Sequence, residues 1–115
     1  MSYPALFTTP GMRDFAEAVD AERQRQIAKF GDQHHPIIRG PHSTVLFQDL
    51  AEGLRRTNDD PAQRCWMTIL LEEVYEAGAE GNLAKFREEV VQVAAVCQAI
   101  ITDLDRQAQR PGDPS

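Results

Sequence analysis

The chain has 115 residues, 42% of them apolar and 26% charged, which is the composition of one globular domain with apolar residues enough for a core. Its formal net charge of −6, from 12 Lys+Arg against 18 Asp+Glu, repels polyanions and argues against duplex nucleic acid as a partner, though a small phosphate ligand carried by a carboxylate-bound metal is compatible with it. Cys65 and Cys97 have neither metal-knuckle spacing nor disulfide density, no apolar run approaches the ~20 residues of a membrane span, and the first residues lack a signal-peptide pattern, so a reduced, cytoplasmic protein is expected.

Residues 1–10 carry Pro4 and Pro10 without periodicity and read as an arm that packs through Leu6 and Phe7. A helical pattern then runs from about Gly11 to Phe30, with Gly31 as its stop. Met12, Phe15, Val19 and Phe30 share one face, and Glu22 and Gln26 fall on that same face. A carboxylate and an amide on an apolar stripe need either water or partners. Two readings follow: the helix end overhangs the core, or it lines a polar pocket in which Arg25 and Lys29 meet anionic groups.

Residues 31–43 hold two Pro, two Gly and all three histidines, and form a loop by turn chemistry. His34 and His35 are adjacent, and adjacent side chains do not aim at one ion; with Asp32 the sole supporting acid, the loop is read as solvated or brushing a substrate. Ser43 or Thr44 caps a second helix over about 45–57, with Val45, Leu46, Leu50 and Leu54 as its stripe and Gly53 weakening it. The run NDDP at 58–61 stops that helix and starts a third, with Asp60 as N-cap and Pro61 in the first turn. The third helix is predicted over Pro61 to Glu80 and the fourth over Leu83 to Arg106, capped by Asn82, with residues 108–115 as a frayed tail. One all-α domain over 11–107 is expected.

On a wheel of about 100° per residue centred on Leu70, Glu73 and Glu76 lie about 60° and 120° to one side of the apolar stripe, while Glu72 points away. Centred on Phe86, the fourth helix places Glu89 and Gln92 about 60° and 120° off in the same sense, with Glu88 outward. A tight turn at Gly81-Asn82 makes the two helices antiparallel neighbours, so Glu73, Glu76, Glu89 and Gln92 are expected in one cluster. Carboxylates brought together either take up protons or hold a cation, and Mg²⁺ suits their hard oxygens, with Mn²⁺ as its substitute. The competing reading is a solvated acidic surface.

The sequence Glu73-Val-Tyr-Glu76, twelve residues and then Glu89-Val-Val-Gln92 resembles the ExxE…ExxD signature of MazG-like all-α nucleoside triphosphate pyrophosphohydrolases. The runs ERQRQIAKFGDQHHP and WMTILLEEVYEA are similar to small members of actinobacterial and phage type, so that the resemblance covers about residues 20–105. It implies a four-helix MazG-like bundle completed by dimerisation, with Mg²⁺ on the acidic positions and a metal-activated water that cleaves an NTP or dNTP to monophosphate and pyrophosphate. Glu73, Glu76 and Glu89 match the family pattern; Gln92 stands where the family has Asp and brings no charge. Glu22 or Glu80 could replace that acid, or the protein could be a catalytically silent relative that serves nucleotide binding or assembly. Glu22, Arg25, Gln26, Lys29 and Trp66 are the candidates for substrate contacts.

Overall fold

The computed structural model describes residues 7–38 and 42–109, and these form four helices and no strand. The helices are α1 (Met12–Phe30), α2 (Thr44–Asp59), α3 (Trp66–Ala79) and α4 (Leu83–Ala108). The described residues are thus all-helical, as expected; Leu6 of the expected arm and residues 110–115 of the expected tail lie outside the described residues.

Two compact units divide the chain: Met1–Ile37 with Ile101–Ser115, and Ile38–Ile100. The first contains α1 and the end of α4. Gly11 begins α1 at φ +80°, and a Cβ there would collide with the side chain of Thr102, so a glycine is required both by the backbone and by the space. Gly31 closes the helix with φ +73°, its N–H donating to the Ile27 carbonyl at 2.8 Å.

The second unit is built on α2 packed antiparallel against α3. Ser43 caps α2 by accepting from the Leu46 N–H at 3.0 Å, as a serine at this position does when it satisfies an orphan donor. The face that meets α3 is Phe47, Ala51, Leu54 and Asn58, at spacings of four, three and four. Phe47 packs on Tyr75 and against the bare backbone of Gly78, while Ala51 is fully buried. His42, stacked on Phe47 with ring centroids 5.1 Å apart, donates from Nε2 to the Gly78 carbonyl at 2.7 Å.

This face corrects the expected stripe of α2. Val45, Leu46 and Leu50 are exposed, Val45 at 65%, because the close approach of the helices selects the small Ala51 and the flat Phe47 over the larger aliphatics. A second correction concerns the start of α3. Asp60 does restart the chain, its carboxylate accepting from the Ala62 N–H and its carbonyl from those of Gln63 and Arg64, but only for one turn. Cys65 is then extended, and the helix begins at Trp66 with the Thr68 hydroxyl accepting from the Cys65 N–H at 3.0 Å. Asn82 caps α4 as expected, its Oδ1 accepting from the Lys85 N–H at 3.1 Å.

Candidate functional site

Where α2 ends beside the start of α3, a small network fixes their register. Asn58 donates from Nδ2 to the Thr68 carbonyl and to Glu72 Oε1, at 3.1 and 3.0 Å, and accepts from the Thr68 hydroxyl at 2.7 Å. All the polar capacity that matters on this amide is thereby used. Glu72 is half-buried against α2, which corrects its assignment to the outward face. The large apolar residues of α3 point elsewhere, and the helix turns its Thr68, Glu72 and Tyr75 side toward α2.

Glu72 thus joins the acidic cluster. Carboxylate oxygens of Glu72, Glu73 and Glu76 all lie within 4.8 Å of one another, and Glu89 from α4 comes close enough to Glu73 to press charge upon it. Burial raises the Glu73 carboxyl above the usual carboxylate range, and Glu72 and Glu89 push it further the same way. Burial also raises Glu76, with Glu73 and a hydrogen bond to Glu72 adding to it, while the Arg55 guanidinium pulls in the opposite direction. Among the described residues, Glu73 Oε2 and Glu89 Oε2 are buried and have no hydrogen-bond partner.

A cavity of about 390 Å³ is lined by Gln48, Ala51 and Arg55 of α2, by Glu76, Ala79 and Glu80 at the end of α3, and by Glu89; Glu72 and Glu73, clustered with Glu76, do not line it. Arg55 Nε donates to Glu76 Oε1 at 3.3 Å across the α2–α3 contact. A cluster of acids with two unsatisfied buried oxygens is suited to a hard cation, which bonds to several carboxylate oxygens at once. The donor set fits Mg²⁺ or Mn²⁺ and offers no sulfur or imidazole to a softer metal.

Of the expected ligands, Glu76 and Glu89 line the cavity and Glu73 lies in the cluster beside them, whereas Gln92 is exposed and does not line the cavity. Trp66 is the first residue of α3, is 39% exposed and does not line it either. The candidates on α1 belong to the other unit, where Arg25 donates to Glu22 at 2.6 Å, Arg23 donates to Gln26 at 2.6 Å, and the Lys29 ammonium lies 5.1 Å above the Phe30 ring. His34 pairs with Asp32 at 3.1 Å on an exposed loop.

The residues that reading the sequence did not single out are Gln48, Arg55 and Asn58. Their signal was available in the spacing 47, 51, 54, 58, which marks the side of α2 that faces α3 and puts Gln48 and Arg55 along its edge. Comparison of the chain with protein-family models, with curated proteins and with solved structures finds no match.

Proposed function

We propose that the chain is a divalent-cation-dependent nucleoside triphosphate pyrophosphohydrolase of MazG-like type, with Glu72, Glu73, Glu76 and Glu89 holding the cation. The observation that carries this reading is the pair of buried, unpartnered oxygens, Glu73 Oε2 and Glu89 Oε2, contributed by two helices to one acidic cluster. Leaving such groups unsatisfied costs on the order of 1–3 kcal/mol each, and a cation between them removes the deficit. The ExxE spacing on α3, with twelve residues between Glu76 and Glu89, supports the same assignment.

In this reading Glu73 and Glu89 supply the buried side of the cation site, and Glu72 and Glu76 its α2 side. When bound, Mg²⁺ would neutralise triphosphate charge and make a water acidic enough to attack the phosphoanhydride. Gln48 and Arg55 offer N–H donors to phosphate oxygens from the cavity wall. Asn58 keeps the Glu72 carboxylate oriented by its own fixed hydrogen bonds. Contacts to the nucleotide from Glu22, Arg25, Gln26, Lys29 and Trp66 belong to the same proposal, as does completion of the site by a second copy of the chain.

Incubation with a panel of NTPs and dNTPs in the presence of Mg²⁺ should release pyrophosphate, and Glu73→Ala should abolish the release. No product from any nucleotide would overturn the enzymatic reading. One observation favours a catalytically silent relative: the position of the family's fourth acid is the exposed amide Gln92. Stabilisation by Mn²⁺ without turnover of any nucleotide is the outcome that would select it.

A further inference from the structure

Arg55 is the basic residue of a cavity whose lining also includes Glu76, Glu80 and Glu89, and it contacts Glu76. Its hold on Glu76 is loose. The contact runs from Nε alone among the described residues, at 3.3 Å, whereas charge-assisted bonds of this kind close to ~2.8 Å and a guanidinium favours a two-pronged grip. Arg55 is 49% exposed and Glu76 only 21%, so the carboxylate is anchored in the protein and the guanidinium is the partner free to move.

A divalent ion and a guanidinium compete for the same carboxylate oxygen, and the ion has the higher charge density. We propose that Arg55 is an exchangeable counter-ion, which neutralises Glu76 in the metal-free protein and yields it to the divalent cation, freeing the guanidinium to clamp phosphate oxygens in the same cavity. The planar fork of arginine matches phosphate as well as carboxylate, and its stem stays fixed on α2 beside Ala51, so only the head must turn. This rests on the reading of the cluster as a cation site and adds to it the order of events: the cation enters first, and the anion binds to the arginine it displaces.

The test uses the full chain with two probes, Mn²⁺ alone and inorganic tripolyphosphate at saturating Mn²⁺, each followed by calorimetric titration. Arg55→Met should tighten Mn²⁺ about twofold to fivefold, the range of a partly exposed ion pair, and weaken tripolyphosphate about tenfold or more. Arg55→Lys keeps the charge without the fork, so Mn²⁺ should bind as in the wild type and tripolyphosphate several-fold more weakly. Opposite signs for the two probes separate this exchange from a structural role, which would weaken both. Mn²⁺ binding to the wild type that Arg55→Met leaves unchanged or weakens would overturn the exchange while leaving the cation site standing. Should Arg55→Met fail to fold, tripolyphosphate affinity in Arg55→Lys equal to that of the wild type would overturn it. Failure of Mn²⁺ to bind the wild type at all would overturn both readings together.

Discussion

At Glu73 a carboxylate oxygen is buried without a donor while Glu72 and Glu89 press negative charge on it, and its carboxyl is accordingly raised. The folded protein therefore keeps protons that the unfolded chain has lost, over the window from the ordinary glutamate range up to the raised values of Glu73 and Glu76. Stability falls with rising pH wherever the folded state binds more protons, so the metal-free protein should lose stability as pH rises through that window. Urea midpoints in EDTA at about pH 5 and about pH 7.5 measure it, and Glu73→Gln should flatten the loss and raise stability at the higher pH. An unaltered pH slope in Glu73→Gln would contradict the account. A divalent ion competes with the same protons, so its stabilising effect should grow across the window. Gln92→Asp should shift the Mn²⁺ midpoint by less than about twofold, because residue 92 is exposed and off the cavity, whereas Glu72→Gln should weaken it about tenfold or more. Glu73, Glu76 and Glu89 were legible in the sequence because Glu73 and Glu76, three apart, flank the apolar stripe of α3, and Glu89 flanks that of α4 in the same sense. Glu72 was not, because its environment is set by Asn58 on another helix, and no periodicity within α3 carries that contact.

The register of α2 against α3 places Arg55 opposite Glu76, and it depends on two ends: the Asn58 network at one and the Phe47–Gly78 contact at the other. A Cβ on Gly78 would lie 2.8 Å from Phe47 Cδ1 and 3.0 Å from Cγ, both on the body of a packed ring. Gly78→Ala would gain up to ~1 kcal/mol of helix propensity but overpack by ~1–3 kcal/mol, so a net loss is expected from the denaturant midpoint. Adding Phe47→Leu should restore part of it; a Gly78→Ala single variant more stable than the wild type would show that the helices can separate freely. Asn58→Ala should cost about 1–3 kcal/mol by stripping partners from Thr68 and Glu72. The order and approximate extent of the helices were readable from caps: Gly31, Ser43 and Asn82 each act where expected, since a cap is a local hydrogen bond or a local φ. The beginning of α3 and the packed face of α2 were not readable in the same way. The first is decided by the Thr68 hydroxyl overriding a proline start, and the second by which residues the approach of α3 admits, Ala51 at its closest point and Phe47 over Gly78, rather than by the largest apolar stripe.

For the molecule as a whole, the distribution of apolar side chains is the feature that calls for a partner. Among the described residues, the buried apolar ones are Ala51 and Ala77, while Val45, Leu46, Met67, Val74, Val90 and Val91 of the second unit are exposed. Apolar residues scattered singly over a surface need no explanation, but Met67 and Val74 stand two turns apart on one face of α3, and α4 carries the adjacent exposed pair Val90-Val91. No helix among the described residues is long and apolar enough to cross a membrane, so these faces are not a bilayer span. The proposed pairing with a second copy of the chain would cover such faces, since a two-fold interface buries the same patch on both subunits at once. Under that proposal, sedimentation equilibrium at about 10–50 µM should return a dimer mass, the micromolar range of many stable self-associations. Met67→Glu combined with Val74→Glu should drive the protein to a monomer while leaving its helical circular dichroism in place, since both side chains are exposed within the chain and a charge there disturbs only what covers them. A wild type that sediments as a monomer throughout that range would remove self-association. A double variant that is monomeric yet binds Mn²⁺ as the wild type does would show that the proposed cation site is complete within one chain, and loss of Mn²⁺ binding together with the dimer would show that the second copy completes it.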